Sequence, residues 1–307
     1  MNWLILVILA ILFDSSRIYA DNYLSDVYFK GSGAASQKLF YIFFHIIIGT
    51  ILLIIFGLDF SLAEPYVFVL FVVAGFLSSI AGIFYYKVLE IDDSTNLGIF
   101  YQLSPVLYLI LGAIFLGDEI TPFQLLAFVF ILAAPILIII TTAKRSRKTK
   151  SRAVIFAFIY VFISVVGNLI FVKENTSALS FPTEMALLFF GKALGNTVII
   201  FINRKWIKRF KYVFKTSHGK VLRPLLLSGS LNTVKDFAYR GALSFAPSVA
   251  LASAVSDSSE PIVIFFMGII LTLIAPKFGR EKLTKKSVIV HLVATILVVI
   301  GIVLIQK

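Results

Sequence analysis

Charged side chains stand inside apolar runs that should exclude them. In the first run Asp14, Arg17 and Asp21 recur at i, i+3 and i+7, which puts them on one helical face. Lys192 lies near the middle of the seventh run. In the eighth, Asn232, Asp236 and Arg240 recur at four-residue spacing with Lys235 beside them. In the ninth, Ser253, Ser256, Asp257 and Glu260 form a contiguous face directly ahead of Pro261. A charge at the centre of a membrane helix costs about 2.5–3.5 kcal/mol on insertion scales. Two chemistries could compensate it. Asp14–Arg17 and Asp236–Arg240 could be structural pairs within a helix. Some of the charges could instead bind a charged or zwitterionic solute, or carry protons. Lys192 and Glu260 point to the second, since neither has an opposite charge three or four residues away. A carboxylate withdrawn from water can exchange a proton near neutral pH, so Glu260 or Asp257 is a candidate coupling group.

Other chemistries find no residues. The chain has no cysteine, hence no disulfide and no thiolate nucleophile. His45, His218 and His291 are far apart and in no metal-ligand spacing. No metal and no cofactor is expected. No GxxxxGK[ST] loop is present to bind ATP. His45 reads more readily as a packed polar residue than as a proton relay.

The elements that would position these charges follow from composition. Of 307 residues, 59% are hydrophobic and 14% charged, with a mean hydropathy of +0.98. That apolar content needs a bilayer as its solvent. Ten segments of roughly 20 residues are long enough to span it. They run 2–24, 38–57, 65–88, 94–116, 121–142, 152–172, 182–203, 221–244, 246–275 and 285–305. The fold class is therefore all-α, a membrane protein with ten transmembrane helices. The first segment lacks a basic start and is broken by Asp14 and Arg17, so it reads as a retained helix, not a cleaved signal.

The net charge of +12 would suggest nucleic acid in a soluble protein. Here Lys and Arg cluster in 144–152, 204–215 and 277–286, connections that fall on one side of the ten spans. The positive-inside rule places that side in the cytoplasm, with both termini opposite. No nucleic-acid partner is expected. Trp206, Ile207, Phe210, Val213 and Phe214 recur on one helical face of 204–215, with Lys205, Lys208, Arg209 and Lys215 mainly off it. Such a basic amphipathic helix suits anionic lipids of the cytoplasmic leaflet.

Two stretches read as one unit written twice. Residues 94–122, `STNLGIFYQLSPVLYLILGAIFLGDEITP`, and 248–284 each hold a long apolar helix with a proline, Pro105 or Pro261. Each continues to an acidic turn, `GDEIT` or `GREKLT`, and a final helix. The basic linker 144–152 divides the chain into 1–143 and 153–307, five spans each. An odd number makes the halves enter from opposite sides, an inverted repeat. Proline in a helix frees the carbonyl four residues earlier, that of Tyr101 for Pro105 and of Asp257 for Pro261. A freed carbonyl at membrane depth must find a partner or line a cavity. Tyr101 and Gln102, just before the first proline, join the candidate site on that ground.

The segments `QLSPVLYLILGAIFLGDEIT` and `ALSFAPSVALASAVSDSSEP`, with their order of turn, proline-bearing helix, acidic turn and last helix, resemble the EamA-type ten-helix transporters of the drug/metabolite transporter superfamily. The resemblance spans nearly the whole chain. It implies a secondary-active transporter, in the export direction, of a small polar or amphipathic, amino-acid-like metabolite, with a central site beside the two prolines. It also implies a multi-pass protein of a prokaryotic cytoplasmic membrane. In many such proteins the first helix has a Trp-Gly-like centre; here it reads `FDSSRIYADNY`, which argues for a more polar pathway. Substrate-binding or coupling residues are then Asp14, Arg17, Tyr101, Gln102, Lys192, Lys235, Asp236, Asp257 and Glu260, and protons are the expected coupling partner. A nucleotide-sugar or phosphometabolite exchanger is the near alternative, because Arg17, Lys192 and Lys235 suit an anion. A lipid-modifying enzyme would need a clustered catalytic constellation that the sequence lacks, and a scaffold would leave the charges without purpose.

Overall fold

Helix accounts for nearly every described segment. The computed structural model describes residues 2–29, 34–57, 64–91, 103–142, 151–174, 179–202, 204–274 and 285–305. Eleven α-helices follow one another: α1 (Trp3–Tyr23), α2 (Lys38–Phe56), α3 (Pro65–Ile91), α4 (Leu103–Leu116), α5 (Pro122–Thr142), α6 (Ser151–Glu174), α7 (Phe181–Ile202), α8 (Arg204–Thr216), α9 (Leu222–Phe245), α10 (Val249–Ile274) and α11 (Lys285–Ile305). No strand occurs among the described residues. Ten of these helices fall on the ten apolar segments, and α8 falls on the amphipathic stretch. α1 runs on into one π-helical turn, Leu24–Tyr28. α10 starts at Val249, not 246, because Ser248 caps it: its hydroxyl accepts the Ala250 N–H at 3.1 Å.

Among the described residues, five helices are long and apolar enough to cross a bilayer: Trp3–Tyr28, Lys38–Phe56, Pro65–Val88, Ile155–Lys173 and Val249–Leu271. Leu103–Leu116, Pro122–Ala134 and Val288–Leu304 are shorter apolar helices. α7 and α9, which hold most of the buried charge, are not among the five.

The chain forms two compact units. One comprises Met1–Ala20, Asp92–Val154 and Leu231–Lys307; the other comprises Asp21–Ile91 and Ile155–Ser230. Each draws on chain from before and after the basic linker, of which 144–150 lie outside the described residues. In the first unit, Ala134 of α5, Ile262 of α10 and Val290, Ala294 and Val298 of α11 form an apolar core. In the second, α7 lies against α2 and α3. There Gly191 and Gly195 face α3, as their four-residue spacing suggests for close helix packing. A Cβ on Gly191 would collide with the Val72 carbonyl, and one on Gly75 with that of Leu188.

The apolar stripe of α8 is covered by its own unit. Trp206 packs with Leu39, Ile42, Ile83 and Tyr86, and Val213 with Leu24, Phe29, Val221 and Leu225. Arg204, Lys205, Lys208, Lys211 and Lys215 remain exposed, beside the exposed Tyr212 and Phe214.

Candidate functional site

The first unit gathers charges from three helices. Asp14 and Arg17 of α1 pair at 2.6 Å, the i,i+3 contact that their spacing foretells. Lys235 of α9 approaches Asp14 at 3.7 Å and its own neighbour Asp236 at 3.8 Å. The Asn232 amide donates to Asp236 at 3.3 Å, one turn away. α10 adds the acidic side. The Ser253 hydroxyl donates to Asp257 at 3.0 Å. Glu260, partly buried, lies in the field of Asp14, Asp257, Arg17 and Lys235. α1 is held against α10 by Tyr19, which donates to the Ile264 carbonyl at 2.8 Å. Both signs of charge thus meet inside an apolar helical unit. That arrangement can bind a small solute carrying both signs, or take up and release protons.

The structure brings together Asp14, Arg17, Lys235, Asp236, Asp257 and Glu260, six of the nine residues singled out in the sequence. Arg240 is buried and feels Asp236 electrostatically. Lys192 belongs to the second unit, buried, with its ammonium 5.7 Å above the Phe189 ring. Asp21 shares the face of Asp14 and Arg17, yet its carboxylate accepts from Ser228 at 2.5 Å in the second unit. Tyr101 and Gln102 lie outside the described residues. Pro261 stands inside α10. Pro105 lies in α4, which is described from Leu103; the residues before it, with the carbonyl of Tyr101, lie outside the described residues.

Sequence reasoning overlooked three residues. Ser104 hydrogen-bonds Asp257, and Tyr239 hydrogen-bonds both Tyr108 and Ser253. Tyr239 and Asp236 are three apart on α9, a spacing that could have drawn attention to it. Nothing distinguishes Tyr108 from eleven other tyrosines.

The acidic turn after α4 also has a position. Gly117 adopts φ +72°, which suits glycine and turns the chain out of the helix. Asp118 then accepts the Val249 N–H at 3.1 Å, at the first turn of α10. A carboxylate there satisfies an orphan donor and complements the helix dipole. Asp118→Ala should lower stability by about 1 kcal/mol, within the ~0.5–2 kcal/mol range of lost caps. Asp118→Asn should keep most of it. Thermal unfolding of the two variants in detergent checks this, and equal losses would contradict the cap.

Comparison with known proteins gives a family match over part of the chain. Residues 24–140 match the EamA-like transporter family. No curated protein matches the sequence. A solved structure, described only as a crystal structure of a protein, covers 98% of this chain and 94% of its own at 14% identity and a TM-score of 0.58. That likeness is one of fold. The EamA match and the long apolar helices support an integral membrane protein, and the matched family is one of transporters. Residues 24–140, a little over a third of the chain, are thus similar to the EamA-like transporter family.

Proposed function

We propose that the protein is a secondary-active exporter of a small zwitterionic, amino-acid-like metabolite, coupled to protons and bound at the charge cluster of the first unit. One observation carries this reading: Asp14, Arg17 and Lys235 meet within 4 Å contacts beside Asp257 and Glu260. Opposite charges held in one apolar setting suit the ammonium and carboxylate of a zwitterion. A nucleotide sugar or phosphometabolite would meet Asp14, Asp236, Asp257 and Glu260 against Arg17, Lys235 and Arg240. The carboxylates outnumber the cations, so the anion is the weaker fit. The experiment is a ligand-stabilisation screen in detergent over amino acids, sugars and nucleotides. A ligand at about 100 times its Kd stabilises the folded state by ~2.7 kcal/mol. Amino-acid-like zwitterions should raise the unfolding temperature. Stabilisation by nucleotides alone would overturn the reading.

The ten-span, inverted-repeat arrangement and the prokaryotic inner-membrane setting belong to the same proposal, with 144–152 and 204–223 cytoplasmic. The chain lacks cysteine, so single cysteines can be introduced and labelled with an impermeant reagent. Labelling of 144–152 in intact cells would contradict the orientation. The exposed cations of α8 face anionic headgroups. Lys205, Lys208 and Lys215 changed together to Gln should weaken retention of phosphatidylglycerol, measured by lipid analysis of the purified protein. Unchanged retention would remove the lipid from the account.

A further inference from the structure

The second unit holds a buried polar chain that the proposed solute site does not use. Lys38 opens α2, where an ammonium meets the positive end of the helix dipole, and it is buried as well. Both circumstances disfavour a cation, so its surroundings should compensate. Its Nζ donates to the Ser79 carbonyl at 3.1 Å and to Asn196 Oδ1 at 3.4 Å, and lies 5.9 Å from the Tyr86 ring centre. Gly82 makes the room: a Cβ there would occupy the space of the ammonium. The Ser79 hydroxyl also donates to Asn196 Oδ1. On its other side the Asn196 amide nitrogen lies 3.3 Å from His45 Nδ1. The His45 ring is stacked between Tyr41, at 5.9 Å and 24°, and Phe189, at 5.6 Å and 22°.

Donor chemistry fixes the orientations. An ammonium cannot accept a hydrogen bond, so the amide oxygen of Asn196 must face Lys38. The amide NH₂ then faces His45. A ring nitrogen facing an NH₂ group must accept, so Nδ1 carries no proton and the neutral ring holds its proton on Nε2. A second proton on Nδ1 would point at the NH₂ group. It becomes acceptable only if Asn196 turns over, which brings its NH₂ against the Lys38 ammonium.

We propose that Lys38, Asn196 and His45 form a proton-binding site in which the two bases compete for the single carbonyl oxygen of Asn196. His45 takes up a proton when Lys38 yields that oxygen, and returns it when Lys38 reclaims it. The other charged groups that reach the rings around His45 are Lys192 on α7, over Phe189, and Asp21, which reaches Tyr41 through Ser228 at 2.5 and 2.8 Å; Glu184, also buried on α7, lies more than three turns from Asn196. From α3 come Ser79 and Tyr86, whereas Lys87 lies over the Phe84 and Phe156 rings. The site goes beyond the solute-binding reading and stands whether or not a solute binds near Glu260.

The test is nuclear magnetic resonance of the full chain in lipid nanodiscs with ¹⁵N-labelled histidine. His218→Gln and His291→Gln each remove one of three ring signals and so assign His45 by elimination. The wild-type His45 ring should be neutral near pH 7 and show the Nε2–H tautomer. Asn196→Asp keeps the shape and offers an acceptor to each neighbour, so both ring nitrogens of His45 should then be protonated. In Lys38→Met the wild-type neutral signals should give way to imidazolium at a less acid pH. An Nδ1–H tautomer in the wild type would overturn the proposal. So would a His45 titration that Lys38→Met leaves unchanged.

Discussion

Glu260→Gln should abolish transport driven by a pH gradient while leaving the fold nearly unchanged. Glutamine keeps the size of the side chain and removes the titrating group. Glu260 is withdrawn from water and lies among two carboxylates, Asp14 and Asp257, and two cations, Arg17 and Lys235, so a neutral amide is no worse placed there than a carboxylate. Losing that charge therefore alters stability little, whereas losing the proton site stops coupling. Asp14→Asn is the contrasting case. Asp14 holds both Arg17 and Lys235, and its loss would remove the carboxylate that the two cations share. The pair is only half-buried, so its loss should lower stability by less than the ~3–5 kcal/mol of a fully buried pair, yet measurably. Gradient-driven uptake into vesicles, with the solute that the stabilisation screen identifies, should be measured beside thermal unfolding. Normal uptake by Glu260→Gln with a lowered unfolding temperature would assign Glu260 to structure alone.

A second large effect on folding should come from two glycines. In most helices Gly→Ala gains about 0.8–1 kcal/mol of helix propensity. At Gly75 and Gly191 the sign should reverse, because the added methyl would fall on the carbonyl oxygens of Leu188 and Val72. Both obstacles are backbone, which cannot swing aside as a side-chain end can, so α3 and α7 must separate. Overpacking costs typically ~1–3 kcal/mol, and here it also parts Ser79 from Asn196. Gly57→Ala is no control, since that glycine has φ +77°. Gly229, whose added Cβ would meet only the Phe44 ring at 3.0 Å, is the better one. Gly75→Ala and Gly191→Ala should lose folded protein in size-exclusion profiles, with Gly229→Ala losing less. Equal yields would mean that the α3–α7 packing is looser than described.

Local elements were legible in the sequence and long-range partnerships only in part. Apolar run length is a local property, and ten of the eleven described helices lie on runs read from it, whereas α8 lies on the amphipathic stretch. Asp14 and Arg17 met because an i,i+3 contact is fixed by helix geometry alone. Asp21 shares their helical face, yet it bonds to Ser228, because a long helix passes different neighbours along its length. Lys38 escaped notice because it sits at the edge of an apolar segment, where a lysine ordinarily reaches solvent. Only the fold shows that Gly82 clears a place for it and that Asn196, 158 positions away, receives it. The repeated acidic turn was visible as a pattern. Its use as a cap for a helix 131 positions away was not.

That cap has a mechanical consequence. α10 is fastened at its beginning to the turn after α4, through Asp118, and beyond Pro261 to α5 and α11, through Ile262. Two anchors on one rod leave its weakest joint to absorb any relative displacement. The joint is the turn ahead of Pro261, where the ring removes a backbone bond. Asp257 and Glu260 ride on that turn. Flexing the rod would therefore swing both carboxylates relative to Arg17 and Lys235, so the position of a single ring decides which charges a bend of the helix would move.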